Sequence, residues 1–218
     1  MSDTPLTLGI DTSAAHCAAA LVLGDTILAA RHEDMAKGQA ERLMTLIQDV
    51  LADAEKTVQD LAAIGVGTGP GNFTGIRISV SAARGLALSL GIPAVGVSLL
   101  DAYAYDTNIP RIVTIDARRG RFYMQSFDEP TFPKPELIST EEIALRHVPD
   151  TVAVTGPAAA MVAQLKGLQI LPSAASPAPN IARIAAARYR SETLRPAPLY
   201  LRAADAAPSS DTPPKILK

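Results

Sequence analysis

The opening of the chain alternates short apolar runs with tight polar turns. Leu6–Asp11, His16–Leu23 and Thr26–Glu33 are β-prone, and Gly24-Asp25 separates the last two, which predicts an antiparallel meander. The period then lengthens. Leu43, Leu46, Ile47, Val50, Leu51 and Ala54 fall at i, i+3, i+4, i+7 spacing and predict an amphipathic helix over Gln39–Ala54. Ala62–Gly67 is a short apolar run ahead of a glycine-rich segment and reads as a buried strand. A helix over Thr74–Leu90 follows, stopped by Gly91-Ile92-Pro93, and Ala94–Ser98 is a further strand.

Near Arg111 the pattern begins again. Ile112–Asp116 ends an apolar run on Ile-Asp, as Leu8–Asp11 does, and a second strand-like run, Phe122–Phe127, follows a polar turn. Val154-Thr155-Gly156-Pro157 then repeats the character of Gly67-Thr68-Gly69-Pro70, again after a strand and before a helix. Two landmarks in the same order predict a duplicated unit joined near Asp106–Pro110, with lobes over 1–106 and 107–204. Prolines 130, 133 and 135 mark one loop and prolines 172, 177 and 179 another, with helices read near Thr140–His147, Ala158–Leu165 and Asn180–Arg190. The polar, Pro-rich stretch 205–218 reads as a disordered tail.

Composition adds constraints. With 48% hydrophobic residues, 4% aromatic and no Trp, the core must be built from Ala, Val, Leu and Ile, which suits thin layers of helix on sheet. Met1–Pro5 carries no Lys or Arg and no apolar run approaches a bilayer's span, so neither signal peptide nor membrane anchor is expected. The single Cys17 has no disulfide partner in the chain, pointing to a reducing cytoplasm. Residues 1–110 hold 6 basic against 12 acidic residues, whereas the remainder holds 14 against 10. Arg183, Arg188 and Arg190 belong to a basic stripe that is either a solvated helix face or a phosphate-facing contact.

Two segments could carry chemistry. Asp11-Thr12-Ser13, at a strand end, offers a carboxylate and two hydroxyls that could hold phosphate oxygens or simply satisfy turn amides. Gly67–Gly75 contains Gly69, Gly71, Asn72, Thr74 and Gly75, whose backbone could present N–H groups to an anion at a helix start. It lacks the Gly-Lys-Ser/Thr ending of a P-loop, and the alternative is close packing of strand against helix with Thr74 as the cap. His16, His32 and His147 show no metal-ligand spacing, no Gly-x-Ser-x-Gly elbow exists, and Cys17 sits in an Ala-rich strand, so no catalytic residue and no metal ligand is assigned.

Helix Thr74–Leu90 is apolar around most of its circumference, and Ser81, Gly85 and Ser89 form a row of small residues at i+4 spacing. Such a helix is either covered by its own domain or completes its burial on a partner. The second reading makes Gln39–Ala54 and Thr74–Leu90 a partner-binding surface of Leu43, Met44, Ile47, Leu51, Ile78, Ser81, Ala82, Gly85 and Ser89.

Gly69-Pro70-Gly71-Asn72-Phe73-Thr74-Gly75-Ile76-Arg77 resembles the signature of the TsaB family, also called YeaZ, whose usual form has Ser where Asn72 stands. Ile10–Ser13, the Leu43–Leu51 helix, Ile115–Arg118 and Pro198–Arg202 are similar in the family's order. The resemblance implies an α/β fold of the actin, sugar-kinase and chaperone-ATPase class (ASKHA), built from two ribonuclease-H-like lobes. It also implies a non-catalytic dimerisation subunit in the transfer of threonylcarbamoyl to tRNA adenosine. That subunit pairs with a metal-bearing catalytic paralogue, TsaD, whose His-x-x-x-His pair is missing here, and with a small ATPase, TsaE. On this reading the partner-binding helices meet matching helices of TsaD or, in a homodimer, of a second copy. No cofactor is required by the chain itself, and ATP or ADP is a candidate ligand at the partner interface. The competing functions are a small ATP-dependent kinase of the same fold, using Asp11 and Gly69–Gly75, and a protease.

Overall fold

The computed structural model describes residues 4–105, 108–191 and 194–201. The meander forms as β1 (Leu6–Asp11), β2 (His16–Leu23) and β3 (Thr26–Asp34), followed by α1 (Gln39–Asp53), β4 (Ala63–Gly67), α2 (Phe73–Leu90), β5 (Ala94–Val97) and α3 (Leu99–Ala104). The second unit comprises β6 (Arg111–Asp116), β7 (Arg121–Phe127), β8 (Glu136–Ser139), α4 (Thr140–Leu145), β9 (Ala153–Thr155), α5 (Ala159–Lys166) and α6 (Ala178–Arg188). The expected join at Asp106, the tail 205–218 and Arg202 lie outside the described residues.

The duplication is visible in the sheets. The first runs β3-β2-β1-β4-β5 and the second β8-β7-β6-β9. In each, the central strand pairs antiparallel with its successor and parallel with the strand after the first helix or loop. A parallel bridge from Val154 to Ile170 stands beside β9 where β5 stands beside β4. Gly69 (φ +93°) and Gly156 (φ +99°) occupy the same turn in the two copies, a conformation open to glycine and strained for a side chain. Sequence pattern missed α3 and β8, both too short to show a period.

The two faces of the first sheet differ in residue size. Leu8, Ile10, Leu21, Ile64 and Val66 meet Leu43, Leu46, Ile47 and Val50 of α1 and Ile76, Val80 and Ala83 of α2 in one core. The opposite face is lined by Gly9, Ala18, Ala20 and Gly65, and α6 lies directly on it. A Cβ on Gly9 would meet the Ala178 carbonyl, and one on Gly65 would come 2.7 Å from the Ile181 carbonyl. The first sheet therefore takes its second helical layer from the far end of the chain. Phe122, Phe132, Ile138 and Val162 form a separate core in the second unit, and Val97, Leu100, Val113, Tyr123 and Ile184 pack between the two.

Arg111 secures the join. It is buried at the start of β6 and donates from Nε (3.1 Å) and Nη2 (2.7 Å) to the Ala104 carbonyl at the end of α3. From Nη1 it donates to the Ile109 carbonyl and to Asp128. A buried cation satisfied by carbonyls on one side and a carboxylate on the other fixes where the second sheet starts.

Two glycines should respond oppositely to the same substitution. Gly9→Ala forces a methyl into the backbone of α6 and should cost about 1–3 kcal/mol in urea unfolding. Gly85→Ala adds a methyl where nothing lies within 4 Å, and should gain about 0.5–1 kcal/mol from helix propensity.

Candidate functional site

The two segments singled out in the sequence meet, and they bind each other. Asp11, Thr12 and Ser13 are wholly buried at the carboxyl end of β1. The Thr12 hydroxyl donates to the Gly75 carbonyl (2.6 Å), and the Asn72 N–H donates to the Ser13 carbonyl (2.6 Å). Cβ atoms on Gly71 and Gly75 would collide with the carbonyls of Ser13 and Thr12, so these glycines are what let the α2 N-terminus approach the turn. The helix starts one residue earlier than expected, and its cap is Asn72, not Thr74. Asn72 Oδ1 accepts from the N–H groups of Thr74 (2.9 Å) and Gly75 (3.1 Å).

Asp11 is held by a histidine that sequence spacing did not connect to it. Its Oδ2 lies 2.6 Å from His16 Nε2 and accepts from the Ser13 hydroxyl (2.9 Å) and amide (3.3 Å). With the proton on Nε2, the imidazole is the donor. Oδ1 meets no donor among the described residues and faces Gly67. The signal was the turn itself: Asp11 ends β1 and His16 starts β2, so a tight reversal returns one to the other. The Thr12 and Ser13 hydroxyls, one carboxylate oxygen of Asp11 and the Thr74 and Gly75 amides are thus already bonded within the chain. These residues do not fit a nucleotide phosphate. Among the described residues no three His, Cys, Asp or Glu side chains cluster as for a metal.

Cys17 is buried one strand in, and its thiol is pushed up to about 11 by burial first and by the Glu33 carboxylate next. Burial also raises the Tyr103 phenol, with Asp11 adding to the effect. Neither group is a nucleophile in this setting.

The nine residues expected on a partner surface divide. Leu43, Ile47 and Leu51 belong to the first core and have no surface to offer, which corrects that part of the expectation: the apolar stripe of α1 faces the sheet. Ile78 and Ala82 are half-buried against the same core. Met44 is 42% exposed, and Ser81, Gly85 and Ser89 stand open to solvent beside Leu88, which is 82% exposed. The end of this face continues into a groove of about 480 Å³ lined by Arg84, Gly85, Leu88, Ile92, Leu194 and Arg195. At its other end Phe73, Arg77 and Tyr200 form a cluster that sequence reading did not assemble, because Tyr200 arrives from the far end of the chain.

The basic stripe is engaged within the molecule. Arg183 donates to the Asp25 carbonyl and to Asn180 Oδ1, binding α6 to the β2–β3 turn. Arg188 lies 3.4 Å from Asp101, and Arg190 donates to the Tyr189 hydroxyl.

Two ribonuclease-H-like sheets of the same order, joined end to end, define a protein of the actin, sugar-kinase and chaperone-ATPase class. YeaZ from Pseudomonas aeruginosa superposes with a TM-score of 0.75 over 90% of this chain and all of that one, at 24% identity. Component A of the Acidaminococcus fermentans (R)-2-hydroxyglutaryl-CoA dehydratase shares the fold with a TM-score of 0.57 over 86% of this chain and all of that one, at 12% identity. The family described as TsaD, tRNA N6-adenosine threonylcarbamoyltransferase, matches residues 31–196. The tRNA threonylcarbamoyladenosine biosynthesis protein TsaB of Escherichia coli K12 is 31% identical over 69% of this chain, a stretch spanning 62% of that relative's length. The Bacillus subtilis protein of the same name is 40% identical over 54% of this chain and 52% of its own. An uncharacterized protein of Mycobacterium tuberculosis is 34% identical over 92% of this chain and 93% of its own. The chain belongs to this threonylcarbamoyltransferase family, in its TsaB (YeaZ) branch.

The clasp gives two expected outcomes. Asn72→Ala removes an N-cap and should cost about 1 kcal/mol in thermal or urea unfolding, whereas Asn72→Ser, which keeps an acceptor, should cost a few tenths at most, on the order of 0.3 kcal/mol. Cys17 should resist a thiol reagent at neutral pH in the folded protein and react at once in denaturant. Rapid native labelling would show that the strand opens.

Proposed function

We propose that this chain is a non-catalytic subunit in tRNA threonylcarbamoyladenosine biosynthesis, and that it binds and activates a TsaD-type catalytic paralogue. The observation that carries the reading is the open face of α2. A helix whose buried side already fills the core still exposes Ser81, Gly85, Leu88 and Ser89, and small residues at i+4 spacing admit a second helix at close range. The Thr12 and Ser13 hydroxyls and one oxygen of Asp11 are engaged within the chain, which leaves the transfer chemistry to the partner and argues against a kinase of the same fold. The names of the Escherichia coli and Bacillus subtilis relatives supply the pathway. On this reading a TsaE-type ATPase and tRNA join the same cytoplasmic complex. Among the described residues no helix is long and apolar enough to cross a membrane.

The test is reconstitution. The TsaD-type subunit of the same organism should modify tRNA efficiently only when this chain is added, and this chain alone should transfer nothing. Gly85→Arg decides where pairing occurs. Open space surrounds Gly85, so the variant should keep the melting temperature of the parent. At an interface, an unpaired buried charge should weaken pairing by more than about tenfold, read by analytical ultracentrifugation. Transfer by this chain alone, or full activity of the catalytic subunit without it, would overturn the proposal.

A further inference from the structure

The α2 face holds one side chain that its own fold has prepared for a ligand. Arg77 Nε donates to the Tyr200 hydroxyl (2.9 Å), and its Cζ lies 3.8 Å from the centre of the Phe73 ring. Tyr200 stacks on Phe73 at 4.8 Å with the ring planes 29° apart. Phe73 and Tyr200 are nonetheless 36% and 42% exposed. A long side chain that would otherwise sample many rotamers is thus held flat before any partner arrives, which removes much of the entropy cost of using it. Among the described residues Nη1 and Nη2 of Arg77 meet no acceptor, and these two nitrogens are the edge of the guanidinium that grips a carboxylate with two parallel bonds.

Charge and position narrow the ligand. The eighteen residues of α2 include no Asp or Glu, and its exposed side carries Arg77 and Arg84. Phe73, Arg77, Ser81, Gly85 and Ser89 are all exposed at successive i+4 positions, so the fork heads the same row in which Ser81 and Gly85 leave space for another helix. Residues 1–110 are acidic on balance, 12 acidic to 6 basic residues, which suits a single carboxylate at the fork and disfavours a polyanion along the helix. An exposed Arg between Phe and Tyr is also the composition of interface residues that dominate binding.

We infer that the Arg77 fork, held by Phe73 and Tyr200, receives a carboxylate from an acidic helix of the TsaD-type partner, seated along the Ser81–Gly85–Ser89 row. This rests on the proposed pairing and names the chemistry the partner must present. Arg77 is then a specificity-determining residue of the complex, and Phe73 and Tyr200 position it.

The experiment is calorimetry of the full chain with its cognate TsaD-type subunit at low and high salt, alongside melting of each variant. Arg77→Gln should weaken pairing about tenfold and flatten its salt dependence. Arg77→Lys should restore part of the salt dependence but not the full affinity, because it keeps the charge and loses the fork. Tyr200→Phe should weaken pairing less than Arg77→Gln does. All three should melt near the parent, since the cluster is at the surface. Pairing by Arg77→Gln with parental affinity and salt dependence overturns this inference while a defect in Gly85→Arg still supports the interface. A loss seen in tRNA binding and not in subunit pairing makes the ligand a phosphate and also overturns it. Failure of the parent chain to pair at all removes both readings.

Discussion

Helix α6 lies backbone to backbone against a strip of glycine and alanine, and the rest of the molecule is arranged around that contact. Gly9 and Gly65 leave no room for a methyl, and Ala18, Ala20 and Ala178 fill what space remains. So close an approach gives dispersion contact along the whole strip, although the strip itself carries no side chain larger than that of Ala. It also requires the chain to pass through the second sheet and return. The two units therefore cannot part without uncovering the first sheet, and Arg183, bonded to the Asp25 carbonyl, fastens the return at its edge.

The same economy of small residues explains the glycine-rich segment. The turn after β1 and the glycine loop before α2 face each other. Here they close on one another through Thr12–Gly75 and Asn72–Ser13 hydrogen bonds, with His16 and Ser13 occupying one oxygen of Asp11. Burying a carboxylate is costly unless it is bonded, and the imidazole beside it offsets that cost. The result is a rigid base for the N-terminus of α2. A firmly seated helix with its outer face unoccupied is what a partner-binding surface requires, because little order remains to be imposed on binding.

The strands other than β8, α1 and α2, and the duplicated order were legible in the pattern of residues. Alternation and helical period report which side of an element is apolar, and repeated Ile-Asp and Gly-x-Gly-Pro landmarks report a repeated turn. The glycine segment was legible as special, but its purpose was not. Whether glycines admit an anion or a neighbouring carbonyl depends on what stands opposite, and Thr12 and Ser13 stand opposite only once β1 and β4 pair.

What the sequence by itself determined is therefore the longer elements, their amphipathic faces and the family. Tertiary structure alone decided which apolar residues remain uncovered. Leu43, Ile47 and Leu51 share a stripe with the core, and Met44, a residue away, does not; Gly85 and Leu88 are no more polar than their neighbours, yet they stand in solvent. Tyr200 meets Arg77 across 123 positions of chain, and His16 meets Asp11 through the reversal of one turn. Local pattern encodes the direction a side chain takes from its own backbone, whereas exposure and long-range partners depend on how the layers stack, which no window of neighbouring residues contains.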